Sequence, residues 1–266
     1  MRGHRTMPNP ILRARTPLAL ALAAALLAGC ATTGSQGAGQ DPRDPFEGFN
    51  RRMYQFNEGL DRAVLRPVAT GYQKIVPGPA RTGVGNFFGN LGDAWSFVNN
   101  GLQLKGEAAM SSFFRVAVNT TFGLGGLLDV ASEMRLQRYK SDFGLTLGHW
   151  GVPTGPYVVL PLLGASSLRD AAALPVDIYG HPLGQLKPAA HRYGLRALDI
   201  VDTRARLLRA SDTLGDAALD PYLMVRDFYF SRRGQAAGSD GRIADEASDG
   251  YIPPEDYGDT PAPAAQ

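Results

Sequence analysis

Few residues in this 266-residue chain are equipped for covalent chemistry. Cys30 is the only cysteine, and the histidines that follow it are His149, His181 and His191. They show no HExxH spacing and have no second thiol to join them, so no zinc site is expected. No G-x-S-x-G elbow is available to raise a serine nucleophile. Ser166 and Ser167, within Gly164-Ala165-Ser166-Ser167, read as a helix cap. Phe122-Gly123-Leu124-Gly125-Gly126 lacks the GK[ST] ending of a phosphate loop and reads as a turn between helices. Asp129, Asp142, Asp170 and Asp177 can meet in space, but nothing in their spacing sets a catalytic geometry. His149 beside Trp150 reads as an interfacial or hydrogen-bonded pair rather than a base. The chain therefore carries no positive signal for catalysis, for a cofactor or for a metal.

Cys30 suits a different reaction. Residues 1–16 are basic, Leu18 to Ala28 form an apolar run, and Leu27-Ala28-Gly29-Cys30-Ala31 closes it. A charged start followed by an apolar stretch too short to span a bilayer is a secretory signal. Its ending looks like a bacterial lipobox, in which the cysteine thiol is diacylated, the signal is cut before it and the new amine is acylated. Ala31 in place of Asp gives no indication of inner-membrane retention. Each buried CH₂ of an acyl chain contributes about 0.8 kcal/mol, so two or more chains anchor stably without a spanning helix. With Cys30 lipidated, no disulfide can form. Beyond it, no uninterrupted apolar stretch approaches the ~18 residues of a transmembrane helix.

Charge excludes another class. The formal net charge is +2, yet Arg2, Arg5, Arg13 and Arg15 all precede residue 30, and from Cys30 onward 23 basic residues face 25 acidic ones. A chain that is near neutral after processing is not a nucleic-acid binder. Glycine is abundant at 32 residues, and charged residues make up only 20%. The low-complexity end from residue 234 holds seven acids and one Arg. Four regions follow: a lipoprotein signal peptide at 1–29, a lipidated tether at 30–45, a helical domain at 46–233 and a disordered acidic tail at 234–266.

The domain reads as all-α. Phe46, Phe49, Met53, Phe56, Leu60 and Val64 form one apolar helical stripe, with Asp44-Pro45 as cap and first turn. Further helices are expected near 67–76, opened by Pro67, and at 79–103, 106–121, 188–212 and 221–233. The 188–212 helix carries Arg and Asp outward, including Asp202 and Arg206 at i,i+4 spacing, and reads as water-exposed.

Two segments do not suit a plain soluble bundle. One side of the 79–103 helix is Gly85, Asn86, Gly89, Asn90, Gly92, Ser96, Asn99 and Asn100, with Asp93 its single charge. Such small uncharged residues suit either close helix packing or the wall of a polar passage. Residues 143–168 contain no Asp, Glu, Lys or Arg, and Pro153, Pro156 and Pro161 prevent one continuous helix. That stretch is irregular or hairpin-like, buried in protein or at a membrane, and Phe143, Leu147, Trp150, Tyr157 and Leu160 are its candidate membrane-facing or gating residues.

The chain resembles the MlaA/VacJ family of outer-membrane phospholipid-transport lipoproteins. The resemblance rests on Asp44-Pro45-Phe46-Glu47-Gly48-Phe49-Asn50-Arg51 with Met53-Tyr54, Asn86-Phe87 with Asn90-Leu91, and Arg115 with Asn119, Gly123, Gly125-Gly126 and Asp129. It continues through Thr146-Leu147-Gly148, Gly155-Pro156-Tyr157, Leu160-Pro161, Leu168-Arg169-Asp170 and Asp220-Pro221-Tyr222 with Val225-Arg226, in family order across roughly 44–233. It implies a ring-like bundle of amphipathic helices in one membrane leaflet, around a channel that carries misplaced phospholipids from the outer leaflet towards the periplasm. It also implies a trimeric porin and a soluble periplasmic lipid shuttle as partners, and no covalent chemistry. On this basis Asn86, Asn90, Ser96, Asn99 and Asn100 are the candidate lipid path. Two other readings are kept beside it: a lipid-anchored phospholipase acting on the same lipids, and a structural lipoprotein that scaffolds porins.

Overall fold

The computed structural model describes residues 41–238. The segments expected as signal peptide and tether up to residue 40, Cys30 among them, and the expected tail from 239 lie outside the described residues. Residues 41–45 belong to one compact unit and the body from Phe46 to another. In the first, the Asp44 amide donates to the Asp41 carbonyl at 2.9 Å and Arg43 pairs with the Asp41 carboxylate at 2.7 Å, closing a turn of the kind that Asp-Pro sequences favour.

The body opens with α1 (Glu47–Leu60), which continues through a π-helical turn at Asp61–Leu65 into α2 (Arg66–Ile75). The break expected at Pro67 is thus a widened turn: Pro67 has no N–H for the carbonyl of Ala63, and the π turn absorbs the missing bond. Phe46, and not Asp44, holds the N-cap position of α1, without a side-chain cap of its own, and Glu47 supplies the acid of the first turn. Next come α3 (Gly78–Leu102) and α4 (Gly106–Thr121), packed against each other over much of their length. They are followed by α5 (Val130–Glu133), α6 (Phe143–His149), strands β1 (Tyr157–Leu160) and β2 (Gly164–Ser167), α7 (Leu168–Gly180), a 3₁₀ turn at Pro182–Gln185, α8 (Ala189–Ala217) and α9 (Pro221–Gly238). The last helix thus continues past the boundary expected at 233.

Side-chain caps start the short helices: Asp129 accepts from the Ser132 amide (3.2 Å), Asp142 from Leu145 (2.8 Å) and Ser167 from Asp170 (3.2 Å). The all-α reading holds apart from one antiparallel hairpin, in register Tyr157↔Ser167 to Leu160↔Gly164. The outer edge of β1 is closed by a helix. Asn50 Nδ2 donates to the Tyr157 carbonyl at 3.0 Å and Asn50 Oδ1 accepts from the Val159 amide at 2.9 Å. One register on, Asn57 Nδ2 donates to the Leu160 carbonyl at 2.9 Å and its Oδ1 accepts from the Leu162 amide at 2.8 Å. The match is geometric: seven residues of helix rise about 10.5 Å, and the three residues of extended chain between the bonded pairs rise about 10 Å.

Candidate functional site

Among the described residues, the buried apolar side chains number fifteen, and seven of them are alanine. Large apolar side chains that are exposed number thirty-two, while nineteen buried residues are polar or charged. A water-soluble domain distributes these the other way round. The apolar centres that do exist are small: Ala69, Ala205 and Leu208 between α2 and α8, and Tyr157, Val159 and Tyr222 between the hairpin and α9.

The inversion is clearest in α3 and α4. On α3 the buried residues are Phe88, Asn90, Asp93, Ser96, Asn99 and Asn100, five of the six polar, whereas Phe97, Val98 and Leu102 are exposed. On α4, Ser112, Arg115 and Asn119 point in and Met110, Phe113 and Phe114 point out. Phe97 and Phe113 meet across the helix pair with ring centroids 5.7 Å apart, which makes the two outer faces continuous.

A buried quartet of two arginines and two aspartates lies between these helices and the segment after α4. Arg115 Nε is 3.1 Å from Asp93, and its Nη2 donates to both oxygens of Asp129 at 3.0 Å. Arg138 reaches Asp93 at 3.1 Å and Asp129 at 3.4 Å. Asn119 supports Asp129 through Nδ2 at 3.0 Å and takes the Ala131 amide on Oδ1 at 2.8 Å. Burial pushes the Asp93 carboxyl above its ordinary value against the pull of both guanidinium groups. At Asp129 burial acts the same way but is overcome by the Ser132 hydroxyl, Arg115 and Asn119, which hold the carboxyl below its ordinary value. A second such quartet joins α6, α7 and α9: Arg233 bridges Asp142 (2.5 Å) and Asp170 (2.8 Å), and Asp170 also takes Arg169 at 2.9 Å and the Tyr229 hydroxyl at 2.5 Å. Charge in each is balanced, the condition under which buried ionised groups persist; Asp93, Arg115, Arg138, Arg169 and Asp170 are buried, whereas Asp129, Asp142 and Arg233 are partly exposed.

The candidate path residues of α3 have protein partners. Asn90 Nδ2 donates to Thr120 Oγ1 (3.1 Å), Ser96 accepts from the Ser141 amide (3.1 Å), Asn99 accepts from the Thr146 hydroxyl (2.9 Å), and Asn100 donates to the Tyr139 carbonyl (3.1 Å). Asn86, half-buried, donates to the Leu127 carbonyl at 3.1 Å. The four others are buried, and of their polar atoms the Asn90 Oδ1 has no hydrogen-bond partner among the described residues. Gly85 and Gly89, on the same helix, face ion-paired side chains at a distance that would admit a methyl group in ordinary contact. A methyl on Gly85 would sit 3.4 Å from Asp202 and Arg206, and one on Gly89 3.5 Å from Arg138. Asp202 itself is buried, paired with Arg206 at 3.1 Å and holding the Tyr72 hydroxyl at 3.0 Å, so this face of α8 packs on α2 and α3 rather than facing water.

Of the candidate membrane-facing residues, Trp150 is exposed and Phe143, Leu147 and Leu160 are half-buried. Tyr157 corrects that assignment: it is fully buried against Tyr222, Tyr229 and Phe230. Strand alternation is the reason, because Tyr157 and Val159 share the inner face of β1 while Val158 and Leu160 share the other. No group of three or more His, Cys, Asp or Glu among the described residues is arranged to hold a metal ion. No described helix is long and apolar enough to cross a membrane.

A helical body with balanced ions inside and large apolar side chains outside belongs to the class of membrane-associated proteins whose surroundings are apolar. The comparisons narrow that class. The model of the MlaA lipoprotein family matches residues 42–236, and the chain belongs to this family. Among its relatives, the intermembrane phospholipid transport system lipoprotein MlaA of Escherichia coli (strain K12) is 44% identical over 218 residues, 80% of this chain and 85% of its own. The protein of that name from Haemophilus influenzae is 35% identical over 242 residues, 88% of this chain and 94% of its own. A solved structure described under "Structural basis for maintenance of bacterial outer membrane lipid asymmetry" matches with a TM-score of 0.65 and 42% identity, covering 73% of this chain and 98% of its own.

Proposed function

We propose that this protein is an outer-membrane lipoprotein that removes phospholipids from the outer leaflet and hands them towards the periplasm. In this role it maintains lipid asymmetry without covalent chemistry. The observation that carries the reading is the inverted distribution of polar and apolar side chains, which only an apolar phase stabilises. Family membership adds the lipid: the relatives' name is that of a phospholipid transport system lipoprotein. Acyl chains on Cys30 tether the body, which beds in the inner leaflet as a ring of helices, with its exposed apolar faces against lipid tails or a trimeric porin. A soluble periplasmic shuttle takes the lipid onward. Asn90, Ser96, Asn99 and Asn100 serve the route indirectly, by fixing the helices that form its walls.

The test is a transfer assay. The purified protein is placed in liposomes containing labelled phospholipid, with a soluble lipid-binding acceptor outside, and the acceptor's cargo is analysed by mass. Intact phospholipid on the acceptor is the expected result. Lysophospholipid with free fatty acid would identify a hydrolase instead, and no transfer above empty liposomes would leave a scaffold.

A further inference from the structure

Among the described residues, four that are not glycine have a left-handed backbone, and three of them are leucines: Leu104 (φ 58°), Leu124 (φ 53°) and Leu162 (φ 66°). All three are strongly exposed, at 91%, 71% and 69%. Two stand at helix ends, one in a complete Schellman motif and one spanned by the long bond of that motif alone. After α3 the Lys105 amide donates to the Asn100 carbonyl at 3.0 Å and the Leu104 amide to Gly101 at 2.9 Å, a Schellman motif with Leu104 at C′. After α4 the Gly125 amide reaches the Thr120 carbonyl at 3.1 Å, which puts Leu124 in the same place. Leu162 is the middle residue of the Pro161-Leu162-Leu163 connection between β1 and β2, its amide held by Asn57.

The C′ position is where helices favour glycine, because a Cβ crowds the backbone at positive φ. The fold contains its own comparison. After α6 the Val152 amide donates to Leu147 and the Gly151 amide to Gly148, the same motif with Gly151 at C′. A chain with 32 glycines can place one at a turn tip. At three tips it holds leucine instead, in a disfavoured conformation and with little protein around the side chain.

We propose that Leu104, Leu124 and Leu162 are membrane-inserting tips whose side chains are buried in the acyl layer of a phospholipid leaflet. The inference rests on the reading that the body beds in a membrane, and it names the elements that enter. Two observations select lipid as the occupant. The tips are continuous in sequence with exposed apolar residues — Leu102, Phe122, Leu127 and Leu163 — and Lys105 is the only charge within two residues of any of them. Leu104 and Leu124 also flank α4, whose length of 16 residues separates them by about 24 Å. With both ends anchored, α4 lies along the membrane plane and presents Met110, Phe113 and Phe114 to it.

Two experiments test this on the full-length lipidated protein. Single cysteines at 104, 124 and 162 carry an environment-sensitive fluorophore, with position 209 on α8 as the charged control. The vesicles are phosphatidylethanolamine and phosphatidylglycerol at about 3:1. Blue-shifted emission at the three tips, quenched by lipid-borne doxyl groups and not by iodide, is expected, with the opposite at 209. Iodide quenching of a tip in vesicles that still float with the protein overturns insertion of that tip while leaving membrane association intact. Failure to float overturns the membrane reading itself. In the second experiment Leu104→Asn, Leu124→Asn and Leu162→Asn are compared in detergent and on vesicles, since asparagine tolerates positive φ. Insertion predicts an unchanged or higher melting temperature together with weaker binding to vesicles. A lower melting temperature with unchanged binding would make the leucines internal packing residues.

Discussion

Arg115 is the residue on which the interior most depends. Its guanidinium is 1% exposed and is shared between Asp93 and Asp129, with a further bond from Nη1 to the Leu136 carbonyl at 2.7 Å. Removing one partner from a buried ion network leaves a net charge that the remaining groups do not balance, at a cost of about 3–5 kcal/mol. Arg115→Ala is therefore expected to lower stability in detergent by that amount, read by denaturant or thermal unfolding. Arg115→Lys should do less damage, because it keeps the charge while losing the two-oxygen grip on Asp129. The pH dependence has a definite sign. Without Arg115, Asp93 is left with Arg138 alone, and its folded pKa, already raised by burial, moves further above the unfolded value. The folded variant then binds more protons than the unfolded chain, so its stability falls as pH rises through that window. The deficit against wild type should be larger at pH 7 than at pH 4.5. A deficit independent of pH would mean that the loss is one of packing rather than of charge balance.

At the level of elements, the pairing of α1 with the hairpin turns a sequence motif into a mechanical joint. The Asn50 pairing with the Tyr157 carbonyl and the Val159 amide is buried, whereas the Asn57 pairing ends at the exposed Leu162. Buried backbone groups left unpaired cost about 1–3 kcal/mol each, exposed ones little because water replaces the side chain. Asn50→Ala is thus expected to destabilise the body by about 2–4 kcal/mol, and Asn57→Ala by about 1 kcal/mol or less with faster amide exchange confined to the 160–162 segment. Equal losses at the two positions would refute this division of labour. The joint also shows what could be read from residues in order. The 79–103 and 106–121 stripes gave α3 and α4 to within a residue, because helical periodicity is local. The cap at Ser167 marks where α7 begins, while Pro175 inside it conceals how far it runs, and the pairing of Asn50 with β1 has no local signature because a carboxamide there reaches a strand more than a hundred residues away. Asp202 and Arg206 were misjudged for a related reason: i,i+4 spacing is the same whether the pair faces water or a neighbouring helix. The lone Asp93 on a face of Gly and Asn, together with Arg115 and Asn119 one turn apart, was the available hint of the quartet, but their partners Asp129 and Arg138 come from other segments.

For the whole molecule, the inverted surface separates two jobs that a soluble protein does with one core. Balanced ions and carboxamides fix the helices relative to one another, and the apolar side chains are left to meet the surroundings. An apolar surface by itself selects no particular membrane; a covalent anchor that sorting machinery can read supplies the address. These two contributions are separable by one substitution. Cys30→Ser is expected to remove the protein from the outer-membrane fraction and to abolish lipid export in cells. The purified variant should keep the helical circular dichroism of wild type and still associate with liposomes through its exposed apolar faces. Outer-membrane retention and activity at wild-type levels would remove the lipid anchor from the account. Loss of liposome association in the variant would instead mean that the acyl chains, and not the inverted surface, hold the body in the bilayer, and the interior ion networks would then need a reason other than an apolar environment.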